Sequence, residues 1–230
     1  MPKQQLLLTG KNNGNNMQTE IEAKSLTADH EALRARLCEL GAVLEHPMRL
    51  MRRYNFDFPD ERLHKANGWA RVRDEGGKIT ASYKQLNGRT LHGTKEVCVT
   101  VSNFDDAKAL FESLGLIPTS YQETKRESWH LSSSSGDLEI ELDHWPWTEP
   151  YIEIEAPNEA AMRDIFTKLG LDYAKAVFGS VEVVYQNEYD VDEVTVQNIE
   201  TIRFELPVPD VLAAKRKVAY QPAQKQKVTT

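Results

Sequence analysis

The sequence predicts an α+β fold: an antiparallel eight-stranded β-barrel tunnel with a charged interior and flanking helices. Three observations lead there. The first is Thr19-Glu20-Ile21-Glu22-Ala23-Lys24, whose charged residues keep one parity. Successive side chains of a strand leave from opposite faces, so Glu20, Glu22 and Lys24 share one face and Ile21 and Ala23 the other. The second is recurrence: Glu139-Ile140-Glu141-Leu142-Asp143, Glu153-Ile154-Glu155, Arg71-Val72-Arg73 and, in part, Ser82-Tyr83-Lys84 repeat the pattern with a chosen sign of charge. The third is the spacing of turn and cap signals, which leaves room for about eight strands with helices interspersed. Charge is costly to bury unless it is paired or holds a metal. A sheet closed with these faces inward therefore implies a ligand that is itself highly charged.

The chain order supports this. Residues 1–16, rich in Gln, Asn and Gly, read as a flexible leader, and 17–206 as one domain. A strand is expected over 18–25, then a helix over 28–40, capped by Thr27 or Asp29, with Leu33, Leu37 and Leu40 as its stripe. Cys38 is expected in the core of that helix. A long strand follows over 43–58, with Arg49, Arg53, Asn55 and Asp57 in one parity, then a short irregular or helical piece over 60–67. Trp69–Asp74 and Ile79–Gln85 form a hairpin across Glu75-Gly76-Gly77-Lys78. A strand over 91–101 carries Lys95, Glu96 and Cys98, and a helix spans Phe104–Leu114. Strands over 119–131, 137–145 and 150–156 bracket the turn at Ser132–Gly136 and the segment Trp145-Pro146-Trp147. A helix over 158–169, capped by Asn158, and helical segments near 173–189 follow. Residues 195–206 are a further strand or a packed extension, and 207–230 a disordered basic tail. Trp69, Trp129 and Tyr83 are expected on the outer, helix-covered face.

Composition narrows the function. The overall charge of −7 resolves into +2 for residues 1–16, +4 for 207–230 and −13 for the body between. Such a body is a poor nucleic-acid binder and a good host for divalent cations. Two cysteines in unrelated contexts indicate a reducing, cytoplasmic setting. Leu6-Leu7-Leu8 is too short to span a membrane. There is no P-loop, GxSxG or HExxH, and the six histidines lack paired ligand spacing.

The blocks are also familiar as a set. Glu20-x-Glu22-x-Lys24 resembles the ExExK signature of the CYTH superfamily, the triphosphate tunnel metalloenzymes. Asn55-Phe56-Asp57, Arg71-x-Arg73, Thr80-Ala81-Ser82-Tyr83-Lys84 and Asp143 followed by Tyr151-Ile152-Glu153-Ile154-Glu155 resemble its later blocks, in order. The likeness covers roughly 17–190. Cys98 departs from it, standing where the family often has a second Glu after the one matching Glu96. So does the adjacent pair Lys125-Arg126, standing for the family's Lys-x-Arg.

The resemblance implies Mg²⁺ or Mn²⁺ held by Glu20, Glu22, Glu153 and Glu155. Asp143 and Glu96 would serve a second metal or a water. Lys24, Arg53, Arg71, Arg73, Lys84 and Lys125 or Arg126 would grip a triphosphate, with Glu20, Glu22, Lys24 and Glu96 closest to the chemistry. The expected activity is hydrolysis of inorganic triphosphate or a small organic one such as thiamine triphosphate. One alternative is a class IV-type adenylate cyclase acting on ATP, although Trp145–Pro150 departs from the glycine-containing segment of the cyclases. Another is a non-catalytic polyphosphate or nucleotide binder. A homodimer is left open.

Overall fold

The computed structural model describes residues 17–26 and 28–217; the leader, Thr27 as a cap and residues 218–230 lie outside it. Its strands are β1 (Gln18–Thr19), β2 (Glu22–Ser25), β3 (Val43–Asp57), β4 (Gly68–Asp74), β5 (Ile79–Leu86), β6 (Thr94–Val101), β7 (Ile117–Ser133), β8 (Gly136–His144), β9 (Tyr151–Glu155) and β10 (Thr201–Ile202). The helices are α1 (His30–Glu39), α2 (Arg62–Lys65), α3 (Phe104–Ser113), α4 (Glu159–Lys168), α5 (Glu182–Glu188), α6 (Glu193–Gln197) and α7 (Asp210–Ala213).

The sheet runs β1-β6-β5-β4-β3-β7-β8-β9-β2, antiparallel throughout. β1 and β2 stand at opposite ends of that order yet are separated in sequence only by Glu20 and Ile21. β1 pairs with β6 through Gln18↔Glu96, and β2 with β9 through Glu22↔Glu155. One stretch of chain thus joins both ends of the sheet and curls it into a tunnel. The count is ten strands rather than the expected eight. The first strand is broken at Glu20-Ile21 as it passes from one partner to the other, and β10 is a two-residue parallel addition to β7.

Side chains of outward parity pack under helices. Ala23, Trp129, Leu131, Leu138, Ile140, Leu142, Ile152 and Ile154 meet Leu33 and Leu37 of α1 and Met162, Ile165 and Phe166 of α4. Phe56, Ala70, Val72 and Ala81 meet Phe104 and Ala107 of α3. Each such fully buried large side chain stabilises the fold by roughly 1.5–3 kcal/mol. The helices start where short polar side chains satisfy free backbone donors: Asp29 accepts from Glu31 and Ala32, Asn103 from Asp105 and Asp106, and Asn158 from Ala161. Cys38 lies on the exposed side of α1, because Leu33 and Leu37 take the buried stripe.

A third cluster gathers Trp145, Tyr151, Val183, Val184, Tyr185, Tyr189, Val196, Ile202 and Leu212. It binds the segment after residue 195 to the barrel. The stretch from Pro207 to Lys217, expected as tail, contains α7. Leu212 there is fully buried, and Arg216 bridges to Tyr189. Its apolar anchors are few and widely spaced, so its charge obscured them. Among the described residues no helix is long and apolar enough to cross a membrane.

Candidate active site

Strand parity brings most of the predicted residues to the inner face. Opposed pairs fix the rows: Lys84↔Glu96, Arg71↔Ser82, Arg53↔Arg73, Arg126↔Asp143, Glu141↔Glu153 and Lys24↔Glu153. Within the tunnel the charges form a chain of ion pairs. Lys24 Nζ lies 2.8 Å from Glu153 and 3.4 Å from Glu22. Lys84 Nζ lies 2.9 Å from Glu20 and 3.2 Å from Glu96. Arg71 meets Glu96 at 2.9 Å and Arg73 meets Glu75 at 2.6 Å. Arg126 donates to both oxygens of Asp143, at 2.7 and 2.5 Å, and to Glu153 at 3.0 Å.

Arg53 is different. It is 7% exposed, and its Nε and Nη2 have no hydrogen-bond partner. It forms no ion pair among the described residues, and its guanidinium lies over the Trp145 ring, 4.7 Å from the centroid. Burial first, then the neighbouring Arg71, Arg73 and Arg126, push its pKa well down. A buried, unpartnered guanidinium is costly. Here it sits among other cations, where an anion with several oxygens would satisfy them together.

Three carboxylates converge in the same lumen, linked to this cluster through the Arg126–Glu153 pair. One oxygen each of Glu22, Glu153 and Glu155 lie within 4.8 Å of one another. Oxygen donors without a nearby thiol or imidazole suit a hard divalent cation such as Mg²⁺ or Mn²⁺, so the residues fit the expected metal. Glu155 is pushed up to about 7 by burial. Glu153 is held low: burial opposes ionisation, but Lys24 and Arg126 outweigh it. Near them Glu20 is raised to about 8 by burial and shares a hydrogen bond with Glu96, which Lys84 and Arg71 pull down to about 2 against its own burial.

Several expected placements change. Glu20 and Asp143 are not in the carboxylate trio: Glu20 pairs with Lys84, and Asp143 is taken up by Arg126. Of the adjacent pair, Arg126 faces the tunnel. Lys125 points outward, exposed, over the Phe204 ring at 4.5 Å, because neighbours on a regular strand must part. Trp69 lies on the inner face opposite Lys84, sharing parity with Arg71 and Arg73, whereas Trp129 and Tyr83 face outward as expected. Asp57 works locally, accepting from the backbone of Phe58, Leu63 and His64 to hold α2.

Other inward groups were not singled out. Glu141, in the parity of Asp143, is raised to about 7 by burial and keeps one oxygen without a partner. Arg49 donates to the Glu75 and Arg126 carbonyls and to Ser128 Oγ. Tyr151, in the parity of Glu153, joins Trp145 and Tyr185 as an aromatic wall behind Arg53.

The raised carboxyls make a prediction about stability. Their folded-state pKa values of about 7 to 8 exceed the ordinary 4.5, so the folded protein binds protons that the unfolded chain releases. Their stabilising contribution is complete below about pH 4.5 and is lost as pH rises through 8. In chelator, the melting temperature should fall across pH 5–8, by an amount on the order of a few kcal/mol in stability. Mg²⁺ or Mn²⁺ should oppose the fall, and more strongly at the alkaline end. Melting curves with and without metal at four pH values would show it; a metal effect independent of pH would contradict the trio.

Comparison with known proteins agrees with the fold. The CYTH domain profile matches residues 18–178. A provisionally assigned adenylate cyclase from Vibrio parahaemolyticus is similar in structure, with a TM-score of 0.61 at 14% identity, covering 74% of this chain and 98% of that one. The PH1012 protein from Pyrococcus horikoshii gives 0.52 at 21% identity, covering 68% and 93%. A provisionally assigned adenylate cyclase from Bacillus halodurans gives 0.50 at 21%, covering 69% and 93%. No curated protein sequence matches the chain.

Proposed function

Because the chain belongs to the CYTH domain family, we propose that it is a divalent-metal-dependent triphosphatase acting on inorganic triphosphate or a small organic triphosphate. The observation that carries this reading is Arg53: a buried guanidinium with free donors among the cations Arg71, Arg73 and Arg126, in the same lumen as three converging carboxylates. Arg53, Arg71 and Arg126 offer forked donors to phosphate oxygens, and Lys24 and Lys84 add point charges. Glu22, Glu153 and Glu155 would hold Mg²⁺ or Mn²⁺, which would supply Lewis-acid stabilisation of the charge developing on the phosphate. Asp143 fixes the plane of Arg126 through both oxygens, so that donor is oriented before the substrate arrives. Glu96, held in place by Arg71 and Lys84, is assigned to orient the attacking water. Lys24 must leave its carboxylate partners as metal and phosphate enter, exchanging one set of ion pairs for another.

The test is turnover of inorganic triphosphate and ATP side by side, with Mg²⁺ and with Mn²⁺, resolving phosphate, pyrophosphate and cyclic AMP. Phosphate and pyrophosphate from triphosphate, with little product from ATP, is the expected outcome. Cyclic AMP with pyrophosphate from ATP would replace this reading by a cyclase. Tight triphosphate binding without any product would leave a binding protein.

A further inference from the structure

Cys98 stands on the inner face of β6, in the parity of Glu96 and opposite Ser82. It is exposed, so the tunnel is open to solvent beside it. It ends a row that crosses four strands: Asn55↔Arg71, Arg71↔Ser82 and Ser82↔Cys98. The three residues before it each keep a buried polar atom without a partner: Asn55 Oδ1, Arg71 Nε and Ser82 Oγ. Arg71 and Ser82 are themselves only 6% and 5% exposed. Arg71 is near enough for charge on Cys98 to act on its guanidinium. Ser82 thus stands directly across from the accessible sulfur, with Arg71 one strand further along the same row. The protein's other cysteine, Cys38, lies on α1 outside the barrel and cannot resolve an oxidised Cys98 within the tunnel.

We propose that Cys98 is a peroxide-sensitive modification site whose sulfenate is held by Arg71 and Ser82 and closes the tunnel to anionic substrate. The Cys98 thiolate attacks one oxygen of the hydroperoxide and the O–O bond breaks. The departing hydroxide takes the remaining proton and leaves as water. Sulfur gives up two electrons and peroxide accepts them. The new S–O⁻ accepts from Arg71 Nε and Ser82 Oγ, and its charge occupies a guanidinium that phosphate would otherwise use. The inhibitory consequence rests on the triphosphate reading; the modification itself does not.

The experiment uses the full chain in chelator, treated with hydrogen peroxide and trapped with a sulfenate-specific reagent before peptide mass spectrometry. Cys98 should be trapped about tenfold faster than Cys38, reflecting the donors along its row. Arg71→Met should remove the difference while Cys98 stays accessible to a neutral maleimide. Equal trapping at both cysteines, or a difference that survives Arg71→Met, would overturn the proposal. Cys98→Ser should keep basal turnover and lose peroxide inhibition that thiol reductant reverses in the parent. Inhibition retained in Cys98→Ser would also overturn it. A protein inert towards every triphosphate would count against the proposed activity alone, because the trapping ratio needs no turnover.

Discussion

Replacing Arg53 by Met should raise the melting temperature of the ligand-free protein while lowering kcat/KM for triphosphate by roughly 10²–10³. The two effects have one origin. In the free protein this guanidinium is 7% exposed with two nitrogens unpartnered, so its charge is compensated only by the Trp145 ring and, through space, by Asp143. Methionine keeps much of the volume against the Trp145 ring and removes the charge. The expected gain is about 1–3 kcal/mol, typical of relieving an unsatisfied buried polar group. Substrate reverses the balance, since phosphate oxygens need that donor most as charge redistributes during displacement. A calorimetric scan in chelator and an initial-rate assay on the same preparation suffice. A variant that is less stable without ligand would mean that Arg53 has a partner in solution and is part of the scaffold.

Glu155→Gln should abolish metal-dependent turnover, by at least roughly 10², without destabilising the protein in chelator. The trio offers three carboxylates for such a test, but their surroundings differ. Glu153 pairs with both Lys24 and Arg126, and removing its charge would leave Lys24 only the longer contact to Glu22 and Arg126 only its aspartate. Glu22 accepts from Lys24 and Thr94. Glu155 forms no ion pair among the described residues, and burial already holds it partly neutral near pH 7. Glutamine there reproduces the protonated shape. The variant should also lose the stabilisation by Mg²⁺ or Mn²⁺ seen in melting curves. Retained turnover together with retained metal stabilisation would remove Glu155 from the metal site.

Parity made the tunnel legible. Residues two apart on a strand share a face whatever the tertiary fold, so Glu20, Glu22, Lys24, Arg71, Arg73, Lys84, Glu153 and Glu155 could be assigned inward from their spacing. Where spacing was silent, the partners decided. Nothing local says whether Lys125 or Arg126 turns inward; Asp143 across the β7–β8 pair selects Arg126. Trp69 shares the parity of Arg71 and Arg73, so the spacing itself contradicts the outward placement expected from parity, and the register opposite Lys84 puts it inside. The resemblance gives Glu20 and Asp143 a metal role; across the lumen Glu20 meets Lys84 and Asp143 meets Arg126, contacts that spacing along one strand does not show. Residues 207–217 read as solvent-borne because a basic run outweighs one buried leucine.

The split first strand has a consequence for how the protein comes into being. Residues 18–25 are among the earliest of this sequence to leave the ribosome, yet their partners, Glu96 on one side and Ile152 to Glu155 on the other, emerge much later. Until β9 has been made, this strand has a neighbour on at most one side and the lumen has an open seam. Such distant pairing is entropically slow to form. During synthesis, a nascent chain ending before residue 155 would carry its phosphate-gripping arginines on an unclosed sheet. Competence towards a polyanion would then appear in a single late step, when β2 docks against the newly made β9.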